Sequence, residues 1–253
     1  MTIDSLVAAG MEHSSNLVSH RSGRDGFEPK SFLAVAGCTD TTVPTPVLDP
    51  PKVMYGATVD DGFRVAAINI RKVPPQFLRQ VVDTPASIPR DPNTIVVDPE
   101  HRFLYLVMAG GKSMRYGIGV GREGFAWSGE ATIHDKQHWP KWFPPKEMVE
   151  RDPRLKPVAD GQDGGPRNPL GARALYLWQG NKDTLYRLHG TTDPSSIGTA
   201  ASSGCVRLFN QDIIDLYERV DVGTEVIVLP SPGQETQPPL ITEIFGQKTP
   251  PKI

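Results

Sequence analysis

His189 and Cys205 are the residues whose types and spacing best suit covalent chemistry in this chain. They bound the segment that opens His189-Gly190-Thr191-Thr192 and closes Ser202-Ser203-Gly204-Cys205-Val206-Arg207, with the histidine 16 positions ahead of the cysteine. A thiol attacks a carbonyl as thiolate, and an imidazole within reach takes its proton. Gly204 permits backbone conformations denied to other residues. The amides of Ser203, Gly204 and Cys205 can therefore converge where an oxyanion forms, and each such donor is worth about 3 kcal/mol in acyl transfer. Taken alone, the two residues fit better a buried cysteine and a strand-end histidine that never meet. The surrounding pattern shifts that balance.

The pattern resembles the L,D-transpeptidase catalytic domain family, also called YkuD, whose signature is His-Gly followed at this spacing by Ser-His-Gly-Cys-(Val/Ile)-Arg. The counterparts are His189-Gly190 and Ser202-Ser203-Gly204-Cys205-Val206-Arg207. Asn168-Pro169-Leu170-Gly171, followed by Ala174-Leu175-Tyr176-Leu177, is similar to the segment preceding the catalytic histidine in that family. The resemblance runs from about Thr94 to Leu229. It implies a mainly β catalytic domain, a sandwich or partly closed barrel, with one short helix after the nucleophile and a long inserted loop.

The resemblance also implies roles. Cys205 attacks the meso-diaminopimelate carbonyl of a peptidoglycan tetrapeptide stem and expels the terminal D-alanine. His189 is the base, the Gly190 carbonyl orients its ring, and the amides of Ser203, Gly204 and Cys205 form the oxyanion hole. The acyl group then passes to an amine, on a second stem peptide or on an envelope protein. Water as acceptor gives a carboxypeptidase, and a non-catalytic peptidoglycan-binding module is the alternative from another class. Arg207 fits either a bidentate contact to a stem carboxylate or a structural ion pair, about evenly. Ser202, Asn168, Tyr176 and Trp127 join it as candidate substrate-binding residues. Many members carry histidine at the Ser203 position; with the base assigned to His189, that position supplies mainly an amide. The Ser-Ser-Gly-Cys form, with Phe125-Ala126-Trp127-Ser128-Gly129, is similar to envelope proteins of alphaproteobacterial type. No cofactor or metal is implied.

Strands must position these groups. Thr94–Asp98 and Arg102–Met108 alternate around a turn and predict a hairpin, with Met114–Val120 following. Ala174–Trp178 and Thr184–His189 bracket a turn at Gly180-Asn181, and Glu225–Leu229 is a last strand. Asn210 is a candidate N-cap for a helix with Ile213, Ile214, Leu216 and Tyr217 on one face. Pro75–Val81 predicts a short helix and Gly62–Ile68 a strand. Residues 121–170 read as one long loop, a lid or substrate wall packed by Trp127, Trp139 and Trp142. His134 and His138 near Asp135 lack the acidic or cysteine companions a metal requires, and they read as loop-packing residues.

Composition bounds the rest. The 253 residues, 38% hydrophobic and 22% charged, suffice for one large domain with extensions. A formal net charge of −2 gives no electrostatic case for nucleic acid. Two cysteines, Cys38 and Cys205, exclude a disulfide scaffold. The segments divide as 1–38, a leader ending in a lipobox-like run before Cys38; 39–52, a Pro-rich linker; 53–93, an N-terminal extension; 94–229, the catalytic domain; and 230–253, a Pro-rich tail. Cys38 makes outer-membrane tethering a candidate, and the expected location is periplasmic.

Overall fold

The computed structural model describes residues 44–121, 127–202 and 205–231, with Ala201 and Ser202 through their backbone alone. The leader with Cys38, Ser203, Gly204 and most of the tail lie outside the described residues. In chain order the strands are β1 (Thr58–Asp60), β2 (Phe63–Val65), β3 (Gln80–Asp83), β4 (Ile95–Asp98), β5 (Phe103–Val107), β6 (Lys112–Gly117), β7 (Val120–Gly121), β8 (Gly129–His138), β9 (Arg173–Gln179), β10 (Lys182–His189), β11 (Ala200–Ser202), β12 (Val206–Arg207) and β13 (Glu225–Val228). The α-helices are α1 (Pro51–Met54), α2 (Lys146–Arg151) and α3 (Asn210–Arg219).

Nine strands form one sheet in the order β12-β10-β9-β8-β13-β4-β5-β6-β3, and β1-β2 and β11-β7 are separate pairs. The expected sandwich or partly closed barrel is therefore corrected. The large sheet ends at β12 on one side and β3 on the other, and among the described residues no sheet is closed or strongly curled. The physical reason lies in what covers the apolar face. Ile213 and Leu216 of α3 pack with Leu175, Leu177 and Leu188, so a helix buries side chains that a second sheet would otherwise cover.

The 121–170 loop is a second correction. It contains β8, a ten-residue strand between β9 and β13 near the middle of the sheet. Only Ala131 and Ile133 alternate inward before the register slips between Ile133 and Asp135, so the period-two signal fades after four residues. Lys136 then points toward α3 and donates to the Tyr217 and Val220 carbonyls at 2.8 and 2.5 Å, satisfying the helix C-terminus. Pro75–Val81 is likewise no helix. It is a single 3₁₀ turn at Pro75–Phe77 followed by β3, which pairs with β6.

Residues 53–93 reach the site region through polar anchors. Asp60 accepts two bonds from the buried Arg173 guanidinium, at 2.6 and 2.8 Å, and one from Trp139 Nε1 at 2.8 Å. Removing one partner of a buried pair strands the other charge. Asp60→Ala is expected to cost about 3 kcal/mol in urea unfolding, the low end of the usual range, because Asp61 at 3.6 Å keeps part of the compensation.

Tyr55 makes a second anchor. Its hydroxyl donates toward both Asp212 oxygens, at 2.9 and 3.0 Å, while accepting from the Arg79 amide at 2.7 Å. Asp212 has no exposed surface, and burial pushes its carboxyl up to about 7 against the pull of Arg79 and the Tyr55 hydroxyl. A raised carboxyl pKa means the native state keeps a proton that the unfolded chain releases. This contribution is full below pH ~4 and is lost as pH rises through about 7. Asp212→Asn should remove that fall, so that stability rises more from pH 4 to 8 than it does in the wild type, measured by thermal unfolding. An unchanged slope would remove Asp212 as its source.

Candidate active site

The β10–β12 pairing sets the geometry of the site. The two strands run parallel with Leu188 opposite Val206 and His189 opposite Arg207. Leu188 and Val206 are fully buried in the core. Side chains alternate along a strand, so His189 and Arg207 point to the other face. Cys205, one residue before β12, has its sulfur 3.9 Å from the Leu185 carbonyl oxygen of β10. His189 and Cys205 are thus carried on adjacent parallel strands, two positions apart in register.

His189 is held on several sides. Its Nδ1 lies 2.6 Å from the Gly190 carbonyl oxygen. A carbonyl only accepts, so Nδ1 carries the hydrogen and Nε2 is left as the basic nitrogen. Burial lowers the imidazole to about 4; the Gly190 and Leu170 carbonyls oppose that fall, and the Arg207 and Arg187 charges add to it. Cys205 is partly exposed. Burial of its thiol raises the pKa, against the Arg187 backbone N–H and the Arg187 and Arg207 charges. The resting pair is therefore a neutral thiol and a neutral imidazole. Proton transfer has to accompany attack.

Gly190 sits in a tight junction. A Cβ there would collide with Asn210 Oδ1, and so would one on Gly171. That oxygen accepts from the Ala172 amide at 3.0 Å, while Asn210 Nδ2 donates to the Thr191 carbonyl at 3.0 Å. Asn210 is not the expected N-cap. Phe209 occupies that position without a side-chain bond, and Asn210 spends its amide tying the segments on both sides of His189 to α3. Sequence reasoning missed this role; two glycines facing one asparagine across about 20–40 residues leave no local periodic signal.

The other expected residues divide. Arg207 shares the His189 face and exchanges two backbone bonds of 2.9 Å with Gly119. A Cβ on Gly119 would strike the Ser196 carbonyl, so the close approach requires glycine. Trp127 is buried and stacks on Tyr186 at 5.6 Å, and Tyr186 is near enough to feel the Cys205 charge. The Tyr176 ring lies 4.3 Å beneath the Arg187 guanidinium, and its hydroxyl donates to Gln137 at 3.0 Å. Asn168 is buried and committed to its own loop. Nδ2 donates to the carbonyls of Pro140, Gln162 and Asp163, and Oδ1 accepts from Leu170. It supports the Leu170 turn facing His189. The Ser202 backbone pairs with Gly121. His134 stacks on Trp178 and His138 pairs with Asp61 at 2.6 Å. Among the described residues no group of three His, Cys, Asp or Glu gathers to hold a metal.

The family model for the L,D-transpeptidase catalytic domain, YkuD, matches residues 92–228, more than half of the chain. The chain belongs to the YkuD family. Among YkuD relatives, the probable L,D-transpeptidase ErfK/SrfK of Escherichia coli K12 is 30% identical over 230 residues, covering 89% of this chain and 58% of that protein. The Bacillus subtilis putative L,D-transpeptidase YkuD is 44% identical over 62 residues, 24% of this chain and 37% of that protein. The chain spans less than two thirds of the length of these relatives. They are enterobacterial and Bacillus proteins, so the likeness is not restricted to alphaproteobacterial envelope members. A solved Brucella melitensis structure described as a probable carnitine operon oxidoreductase is 52% identical, covering 64% of this chain and 99% of that one, with TM-score 0.43. Membership in the YkuD family supports a cysteine-dependent, acyltransferase-like enzyme with Cys205 as candidate nucleophile.

Proposed function

We propose that this chain is a peptidoglycan L,D-transpeptidase of the bacterial envelope. Cys205 Sγ attacks the meso-diaminopimelate carbonyl of a tetrapeptide stem as His189 Nε2 takes the thiol proton. The tetrahedral oxyanion sits among the amides of Ser203, Gly204 and Cys205. Its collapse breaks the bond to the terminal D-alanine, whose amine receives the proton from His189. The thioester then passes to an acceptor amine, giving a 3→3 crosslink or an anchored envelope protein. Arg207, Trp127, Tyr176 and Ser202 belong to the substrate side of this proposal, and Asn168 to the support of the His189 turn.

The observation that supports this reading is the parallel pairing of β10, which ends in His189, with β12, which directly follows Cys205, together with the bond between His189 Nδ1 and the Gly190 carbonyl. Arg207 on the His189 face suits a substrate that carries a carboxylate. Among the described residues no helix is long and apolar enough to cross a membrane. A periplasmic location, and tethering through Cys38, remain parts of the proposal.

Mass spectrometry of disaccharide-tetrapeptide incubated with the protein, beside Cys205→Ala, tests it. Loss of D-alanine with 3→3 dimers, both absent in the mutant, is expected. Tripeptide without dimers would convert the reading to a carboxypeptidase. Binding of the sugar-peptide with neither product would favour a binding module.

A further inference from the structure

Just before His189, strand β10 is irregular. Its register against β9 slips between Asp183 and Arg187, and Leu185 inside the slip takes φ 63°. That left-handed conformation is uncommon for a residue with a Cβ. Leu185 is 76% exposed, so no burial of its side chain explains the conformation. Hydrogen bonds hold it instead. The Asp183 carboxylate accepts the Leu185 amide at 2.8 Å and grips the Arg187 guanidinium through both oxygens, each at 2.8 Å. The Thr184 hydroxyl donates to the Leu177 carbonyl and accepts from the Tyr186 amide. Arg187 is further fixed over the Tyr176 ring. The bulge is thus spanned by a bidentate ion pair and stacked on its neighbour strand.

Two groups from this bulge meet the Cys205 sulfur. The Leu185 carbonyl oxygen lies 3.9 Å from Sγ, and the Arg187 backbone N–H favours its thiolate. One accepts from the thiol and the other donates to the thiolate, so the same backbone serves the sulfur before and after it loses its proton. Bulges next to active sites commonly re-aim groups in this way, and strained conformations persist where surrounding bonds over-determine them.

We propose that the β10 bulge is a thiol-positioning device, in which Asp183 and Arg187 are positioning residues that hold the Leu185 carbonyl and the Arg187 amide against Cys205. It rests on Cys205 being the nucleophile proposed above. The titratable and charged groups that act on the sulfur are Tyr186 and Arg187 from β10 and Arg207 from β12, with Asp183 acting through Arg187.

The test is the pH dependence of Cys205 alkylation by iodoacetamide in the full chain, read at the Cys205 peptide by mass spectrometry. Asp183→Ala and Arg187→Lys should slow alkylation at pH 7.5 by about three- to tenfold, with the midpoint moved up by about half to one pH unit. Lysine keeps the charge and loses the fork. Leu185→Gly, which adopts the same φ, should alkylate at least about tenfold faster than Leu185→Pro, which cannot. Wild-type profiles in Arg187→Lys and Asp183→Ala, each shown folded by thermal unfolding, would overturn the device. Shifted profiles in variants that never turn over stem peptide, wild type included, would leave the device standing and remove the transpeptidase reading.

Discussion

His189→Gln should lower the rate of acyl-enzyme formation on Cys205 by about 10³–10⁴-fold, measured by single-turnover intact-mass kinetics. The size follows from the resting protonation state. Burial keeps the Cys205 thiol protonated, so the nucleophile exists only when a base takes its proton during attack. His189 is neutral down to about pH 4, and its Nδ1–H is committed to the Gly190 carbonyl. The acid limb of kcat/KM should therefore lie near 4 and not near the ordinary histidine value. A loss under tenfold, or an acid limb near 6.5, would assign the base elsewhere. The same substitution has a stability signature. With the native pKa lowered to about 4, the unfolded chain binds a proton the native state refuses. This stabilisation is full above pH ~6.5 and is lost as pH falls through about 4, up to about 3 kcal/mol. Asp212 acts in the opposite sense over nearly the same window. Removing the imidazole should leave a curve that declines more steeply from pH 4 to 7 than the wild type's.

Gly190→Ala should be nearly as damaging, by a different route. The new methyl would collide with Asn210 Oδ1, and the Ala172 amide and Gly171 Cα close the other exits. The strand end has to move, and with it the carbonyl that fixes the imidazole tautomer. A shift near 1 Å costs on the order of 10²-fold in a positioned reaction, and overpacking of this kind costs about 1–3 kcal/mol in stability. Asn210→Ala alone abandons the Ala172 amide and the Thr191 carbonyl, for about 1–3 kcal/mol. In Gly190→Ala/Asn210→Ala the collision is gone, so urea unfolding should give a double-mutant loss clearly smaller than the sum of the singles. Simple additivity would mean that the two residues do not share a contact that matters.

Much of this site was readable from residue types. Phe103–Val107 and Arg173–Gln179 stood out as runs of β-forming apolar residues, and the helix after Cys205 stood out by its apolar periodicity, which records one-sided burial. β8 was not readable: its polar residues serve a partly exposed face and its bulge reverses the phase. The sandwich or barrel expectation came with the family resemblance, and the strands could not correct it, because strand periodicity says nothing about what buries a face. His189 and Cys205 were visible as a spaced motif. The groups that tune them were not. Asn210 acts through a side chain that looked like a cap, and Asp183 and Arg187 act through a bulge whose register depends on β9.

The contacts of Tyr55, Asp60 and Arg79 have a practical consequence. Homology marks its unit at residues 92–228, but folding integrity does not respect that border. A chain trimmed at residue 92 would keep Arg173 and Asp212 while discarding the groups that neutralise and hydrogen-bond them. It would also expose Gln211, whose amide donates to the Gly56 and Ala66 carbonyls. Such a fragment would carry the complete signature motif and still fold poorly, and its inactivity would say nothing about the chemistry of Cys205. Recombinant versions of this enzyme should begin ahead of residue 50.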